Sequence, residues 1–122
     1  MYTVEGLDKI QFKYVNRASL WSSFVEYDLC NKNILVSYGT FEITEMNIHI
    51  TELILNKIKY ALKHMKYVTK DRNKFSVIDG TWWRMTIYEK NGAICNYSGI
   101  TDTRKHYWDK INYEFFDALY PQ

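Results

Sequence analysis

The sequence predicts one α+β domain in which two β-β-β-α units form an antiparallel sheet with two helices on one face. Three observations favour this fold. Apolar and polar residues alternate over short runs, turn-forming residues separate those runs, and two longer segments repeat apolar residues at helical spacing. Short turns between consecutive strands favour antiparallel pairing, and amphipathic helices bury their apolar stripes against one face of such a sheet.

Length and composition agree with a single domain. The chain has 122 residues, of which 47% are hydrophobic and 17% aromatic, and this is enough apolar material for a core without disulfides or metal. There is one proline, at position 121, and no segment has the composition of a linker. We therefore expect one domain over residues 1–122, with pseudo-repeat halves over about 7–68 and 73–120.

The first half predicts three strands and a helix. Alternation indicates strands over 10–14, 20–29 and 34–43, with a turn at 31–33, where asparagine tolerates left-handed backbone geometry. A helix near 48–66 follows, with Asn47 or Thr51 as its N-cap. Its apolar stripe consists of Ile50, Ile54, Ile58, Ala61 or Leu62, and Met65.

The second half repeats this plan. Strands are predicted over 75–78, 81–88 and 93–100, with tight turns at Asp79-Gly80 and Asn91-Gly92, because these residue types accept the positive φ of hairpin turns. A final helix is predicted near 104–119. Its apolar stripe consists of Trp108, Ile111, Phe115 and Leu119.

Catalytic and metal-binding motifs are absent from the sequence. The three histidines, at positions 49, 64 and 106, show no metal-ligand spacing, and Cys30 and Cys95 do not form a Cys-x-x-Cys pair. There is no nucleophile elbow and no glycine-rich phosphate loop. We expect no enzyme, no cofactor and no metal site, although a pair of Cys95 with a distant histidine stays open.

The sequence also bears on location. The first residues lack the basic and apolar regions of a signal peptide, and no apolar run reaches membrane-spanning length. Two cysteines are too few for a disulfide framework. These features predict a cytoplasmic protein with reduced thiols and no membrane partner.

Two adjacent tryptophans predict a candidate binding surface. Because side chains alternate along a strand, Trp82 and Trp83 point to opposite faces. Met85 and Ile87 share the face of Trp83, which is therefore the core face. The other face combines aromatic and charged residues, as binding hot spots do; its partner-binding candidates are Trp82, Arg84, Tyr88, Phe24, Glu26 and Asp28. Cross-strand aromatic pairs that simply cover the sheet explain these residues equally well.

Positive charge is concentrated in one segment. Residues 57–74 contain seven lysines and arginines against Asp71, whereas the chain up to residue 52 contains seven acids against four bases. A solvated helix face, a phosphate-binding surface and a surface for an acidic protein are all compatible with this pattern. The candidate basic surface consists of Lys57, Lys59, Lys63, Lys66, Lys70 and Arg72.

The C-terminal half resembles a family of bacterial toxin-immunity proteins of the contact-dependent growth inhibition type. The resemblance rests on Asp79-Gly80-Thr81-Trp82-Trp83, continuing to Tyr88, then on Asn91-Gly92, Tyr97-Ser98-Gly99 and the aromatic helix that starts at Tyr107-Trp108. It implies a cytosolic protein that neutralises one cognate toxin by tight binding. The mildly basic isoelectric point differs from the acidic balance expected of a nuclease inhibitor.

Together these observations predict a non-catalytic protein-binding inhibitor, either a monomer or a homodimer, with an immunity protein as the leading hypothesis. A phage-encoded inhibitor of a host defence complex would need the same kind of surface. A nucleic-acid-associated protein that uses the basic segment at 57–74 is the alternative from a different class.

Overall fold

A six-stranded antiparallel sheet dominates the computed structural model, which describes residues 2–16, 19–63 and 81–100. A 3-10 turn at Val4–Gly6 precedes the first strand. The elements are β1 (Leu7–Asn16), β2 (Ser22–Asp28), β3 (Asn33–Gly39), β4 (Ile43–His49), α1 (Glu52–Lys63), β5 (Thr81–Glu89) and β6 (Ile94–Ile100). The coarse prediction of an α+β fold with an antiparallel sheet is confirmed.

The strand order is β4-β3-β2-β1-β5-β6, so the first strand of the chain lies inside the sheet. Three consecutive hairpins build a meander from β1 to β4. The hairpin of β5 and β6 then pairs with the other edge of β1, in a register that places Gln11 opposite Thr86 and Lys13 opposite Arg84. β1 therefore joins the two parts of the sheet.

A fourth strand in the meander corrects the prediction for the first half. Residues 34–43 were expected to form one strand, but Gly39 ends β3 and the chain returns as β4 from Ile43 to His49. Gly39 has a φ of +149°, and a Cβ there would lie 1.9 Å from the carbonyl oxygen of Glu42, so this turn requires glycine. The first half is β-β-β-β-α, and the prediction of two β-β-β-α units is wrong.

Helix α1 starts four residues later than the predicted start at residue 48. Thr51 is the N-cap, since its Oγ1 accepts a hydrogen bond from the backbone N–H of Ile54 at 3.3 Å. The alternative cap, Asn47, lies in β4 instead. Within the helix Ile58, Ala61 and Leu62 are buried, as their spacing predicts. Ile54 is half-buried against the same core.

The core lies between α1 and one face of the sheet. Alternate residues of the four strands β1, β2, β3 and β5 point to this face, and nearly all of them are buried. They include Ile10, Phe12, Tyr14, Val25, Tyr27, Ile34, Val36, Trp83, Met85 and Ile87. The aromatic rings of Phe12 and Tyr27 meet edge to face, with centroids 6.2 Å apart.

Of the three turns predicted from the sequence, the two that lie in the described residues are present, with different details. In the turn between β2 and β3, Lys32, not an asparagine, has the positive φ, +54°. Asp28 stabilises this turn by accepting hydrogen bonds from the backbone N–H groups of Cys30 and Asn31. In the turn between β5 and β6, Gly92 has a φ of +93° as expected.

Several predictions lie outside the described residues. These are the strand over 75–78, the Asp79-Gly80 turn and the helix near 104–119, together with the buried positions Met65, Ile111 and Phe115. In the described part of the chain, no helix has both the length and the apolar character needed to cross a membrane.

Candidate functional site

The sheet face opposite α1 carries a continuous set of polar and aromatic side chains. Alternation along β5 separates the two faces sharply, because Trp83 is 4% exposed whereas the next residue, Arg84, is exposed. We call this surface the open face. Its central part is formed by Lys9, Gln11 and Lys13 of β1, Phe24, Glu26 and Asp28 of β2, and Arg84, Thr86 and Tyr88 of β5.

The structure brings together most of the predicted partner-binding residues. Phe24, Glu26 and Asp28 lie on one side of β1, and Arg84 and Tyr88 lie on the other. The backbone of Trp82 pairs with Val15 of β1, while its side chain lies outside the described part of the structure. The face assignment made for Trp83, Met85 and Ile87 is confirmed by their burial.

A hydrogen-bonded network connects β2, β1 and β5 across the open face. Gln11 is at its centre: its Nε2 donates to Glu26 Oε1 at 2.7 Å, and its Oε1 accepts from the Tyr88 hydroxyl at 3.2 Å. Lys9 Nζ lies 3.8 Å from Glu26 Oε1 and 4.8 Å from the centroid of the Tyr88 ring. These contacts hold four side chains in place before any partner binds.

Sequence reasoning missed Gln11 and Lys9 as members of this site. The alternation of 9–14 already placed both side chains on the polar face of a strand. This alternation does not show that the strand lies between β2 and β5 in the sheet. Only this position makes Gln11 the residue that links Glu26 to Tyr88.

Two cations lie side by side at one end of the open face. Lys13 and Arg84 are direct cross-strand neighbours, and both are exposed. The other cross-strand neighbours of these two residues, Phe24 and Ser98, are uncharged. Like charges directly opposite each other destabilise a sheet, so this pair has a cost that the fold itself does not explain.

Asp28 occupies the opposite end of the open face, and its charge is used within the fold. The hydrogen bond from the backbone of Asn31 lowers the pKa of its carboxyl, and the Asn31 side chain, the Cys30 backbone and the charge of Lys9 act in the same direction. The side-chain bond from Asn31 Nδ2 to Asp28 Oδ2 is 2.8 Å long. Asp28 is therefore a turn-stabilising residue as well as a member of the open face.

A thiol and two carboxylates meet beside this turn. The ligand atoms of Asp8, Asp28 and Cys30 lie within 4.8 Å of one another. They are already engaged within the fold, because Cys30 Sγ donates to Asp8 Oδ1 at 3.2 Å and Asp28 caps the turn. The bond to Asp8 raises the pKa of the Cys30 thiol, which is opposite to the activation that a nucleophilic cysteine needs.

Cys95 lies among phenols. The Tyr2 hydroxyl is 3.0 Å from the Tyr97 hydroxyl, and a hydrogen bond with the Cys95 side chain is the main cause that raises the pKa of Tyr2. Burial, followed by the bond with Cys95, raises the pKa of Tyr97. His49 lies on β4, at the opposite edge of the sheet, so it does not pair with Cys95; His64 and His106 lie outside the described residues.

The described part of the candidate basic surface lies on α1. Lys59 and Lys63 are exposed one helical turn apart, and Lys57 is half-buried. Lys66, Lys70 and Arg72 lie outside the described residues. Since α1 packs on the core face, this basic surface and the open face belong to opposite sides of the sheet.

Comparison with protein-family models, with curated proteins and with solved structures yields no match for this chain.

Proposed function

We propose that this chain is a non-catalytic protein-binding inhibitor that meets its partner through the open face. The pair of exposed, adjacent cations, Lys13 and Arg84, carries this proposal. Two like charges at directly opposite positions destabilise a sheet, and a partner that supplies a carboxylate between them would offset that repulsion. A bidentate guanidinium–carboxylate contact is among the strongest polar contacts available at a protein interface.

The surroundings of this cation pair support a protein partner. Phe24 and Tyr88 supply aromatic surface, and Glu26 adds an acceptor, so the open face has the mixture of aromatic and polar groups found at hot spots. The Gln11 network restrains Glu26, Tyr88 and Lys9 in advance. Side chains that are already ordered lose less conformational entropy when they bind.

A nucleic-acid partner fits the open face poorly. Glu26 and Asp28 would repel phosphate, and Lys9 already contacts Glu26. On α1, the residues between Lys59 and Lys63 include no acid. These two exposed lysines are the observation that supports the nucleic-acid hypothesis. The two hypotheses therefore place the partner on opposite sides of the sheet.

Among inhibitors, a cytosolic immunity protein that neutralises a cognate bacterial toxin remains our leading hypothesis, on the strength of the sequence resemblance. A phage-encoded inhibitor of a host defence complex is the alternative and would use the same face. Both need the open face to stay accessible. The proposal therefore places the helix predicted near 104–119 on the same side of the sheet as α1.

Affinity capture from the source cell, followed by binding measurements with the captured protein, tests the proposal. Replacement of both Trp82 and Arg84 by alanine should cost about 2 kcal/mol or more, at least a roughly thirtyfold loss of affinity. The matched control reverses Lys59 and Lys63 to glutamate, on the opposite side of the sheet, and should leave affinity unchanged. If the folded lysine variant lost affinity and the folded Trp82 and Arg84 variant kept it, the binding site would lie on α1.

A second measurement separates an immunity protein from other inhibitors. Expression of the captured partner alone should arrest bacterial growth, and co-expression of this chain should restore it. The double variant at Trp82 and Arg84 should fail to restore growth while still accumulating as folded protein. A harmless partner would contradict the immunity hypothesis and leave the binding face intact.

A further inference from the structure

The edge strand β4 has the properties of a strand that pairs with another chain. Its seven residues pair with β3 in an unbroken register, without a bulge. Its sequence, Ile-Thr-Glu-Met-Asn-Ile-His, contains neither lysine nor proline. Natural edge strands usually carry such features because they prevent pairing with other molecules, and β4 lacks them.

The hydrogen-bonding pattern fixes which groups of β4 point outward. The backbone N–H of Ile50 donates to Lys32 of the turn before β3 at 2.8 Å, so residues 48, 46 and 44 bond to β3 by the alternation of an antiparallel ladder. The N–H and C=O groups of the intervening residues face away from β3. In the described part of the chain no strand pairs with them; they belong to Ile43, Glu45, Asn47 and His49.

Exposed apolar side chains line the same edge. Ile43 is 54% exposed and Met46 is 39% exposed, and Phe41, in the turn before β4, is 94% exposed. Single exposed apolar side chains are normal on a protein surface, whereas neighbouring ones that form a contiguous patch mark contact sites. The edge thus offers both unpaired backbone groups and apolar surface.

We propose that β4 pairs antiparallel with β4 of a second copy of this chain, about a two-fold axis at Met46. Outward-facing residues of one copy must pair with outward-facing residues of the other, and all of these are odd-numbered. In a hydrogen-bonded register, the numbers of two paired residues therefore add to an even number. The pairing about Met46 uses all seven residues, and Ile43 faces His49 while Glu45 faces Asn47 of the second copy.

Pairing length and charge favour this register over its neighbours, because an axis at Glu45 pairs only residues 43–47 and an axis at Asn47 pairs only residues 45–49. A shift of the axis to Glu45 would place two carboxylates directly opposite each other, which destabilises a strand pair. About Met46, Glu45 faces the uncharged Asn47, and its two diagonal neighbours are His49 and Glu45 of the second copy. On the other face Met46 meets Met46, and Thr44 meets Ile48, so the apolar surface at the axis becomes covered.

The consequence is one continuous sheet across two chains. The two-fold axis is perpendicular to the sheet, so both copies of α1 lie on one side and both open faces lie on the other. The dimer would present two identical partner-binding surfaces side by side. This inference concerns a different surface from the open face, and it stands whether or not the proposed function is correct.

Glu45→Pro tests the pairing by sedimentation equilibrium. The N–H of Glu45 faces away from β3, so proline leaves the β3–β4 ladder intact but removes an outward donor and obstructs the edge. We expect the mass of two chains for the parent at high micromolar concentration, and a dissociation constant raised by roughly tenfold or more for the variant. Glu45→Ala is the matched control and should remain a dimer.

Cross-linking tests the register independently of that variant. In a Cys30→Ser background, Met46→Cys places two thiols opposite each other at the axis, close enough for a disulfide under mild oxidation. Thr44→Cys places them several residues apart and should not cross-link; mass spectrometry identifies the linked peptides. A parent that stays monomeric, a Glu45→Pro variant that still dimerises, or linkage at position 44 instead of 46 would overturn the proposal.

Discussion

Lys13 and Arg84 lie directly opposite each other on the neighbouring inner strands β1 and β5, and both side chains are exposed. Cross-strand neighbours of like charge destabilise a sheet, whereas a pair of opposite charge stabilises it. The pair therefore allows the cost to the fold to be measured separately from binding.

Reversal of either charge should stabilise the isolated protein. Arg84→Glu should raise the free energy of unfolding by about 0.2–1 kcal/mol, because repulsion is replaced by attraction to Lys13. Lys13→Glu should do the same. The double variant restores two like charges and should lose the gain, and urea denaturation at low salt measures all four proteins. Additive gains in the double variant would show that the two side chains do not interact.

Trp83 should be essential to the core while its neighbour is not. Trp83→Ala removes a large buried ring beside Met85 and Ile87 and should cost about 3–5 kcal/mol of unfolding free energy. Arg84→Ala, one position away on the open face, should change stability by less than about 0.5 kcal/mol. Equal urea midpoints for the two variants would contradict the assignment of the faces.

Asp28 should make stability depend on acid pH. Its pKa is lower in the folded protein than the ordinary 3.8, so its contribution is present above 3.8 and is lost as the pH falls through the folded value. Asp28→Asn keeps an oxygen acceptor for the turn but removes the charge. The variant should lose less stability than the parent on acidification, as followed by urea midpoints from neutral pH downward. Parallel pH profiles would show that Asp28 contributes through the turn alone.

The two turn glycines should differ in their tolerance of alanine. Both have positive φ, but a Cβ at Gly39 would collide with the Glu42 carbonyl oxygen, whereas a Cβ at Gly92 meets nothing within 4 Å. Backbone strain of this kind costs on the order of 1–3 kcal/mol, and the collision at Gly39 adds to it. Gly39→Ala should therefore destabilise more than Gly92→Ala. A comparison of their thermal midpoints decides the matter.

The sequence predicts the parts of this fold in which burial repeats with a regular period. Trp83 and Arg84 were assigned to opposite faces because β5 alternates strictly, and Ile58 was assigned to the core by helical spacing. β4 escaped prediction because its side chains are mostly exposed, and because the alternation of Met46 and Ile48 with polar residues is short and runs into the predicted helix start at residue 48. An edge strand that buries few side chains has only a weak pattern of apolar residues in its sequence.

The sequence predicted several residues of the candidate site but not Gln11, which lies at its centre. Alternation placed Arg84, Tyr88 and Glu26 on one face of the sheet. The order of strands comes from the pairing of distant segments, which local patterns do not contain. Gln11 acquires its role only because β5 pairs with β1 across a long stretch of chain.

The placement of β1 inside the sheet has a consequence for synthesis and folding. The meander from β1 to β4 consists of hairpins between consecutive strands and is complete once residue 49 has been made. The backbone groups on the other edge of β1 stay unpaired until β5, which begins at residue 81, has been synthesised. Contacts between distant segments form slowly because a long loop must close first. During translation the nascent chain therefore exposes a second strand edge that the finished protein conceals, and arrival of the β5–β6 hairpin should be the slow step that protects it from aggregation.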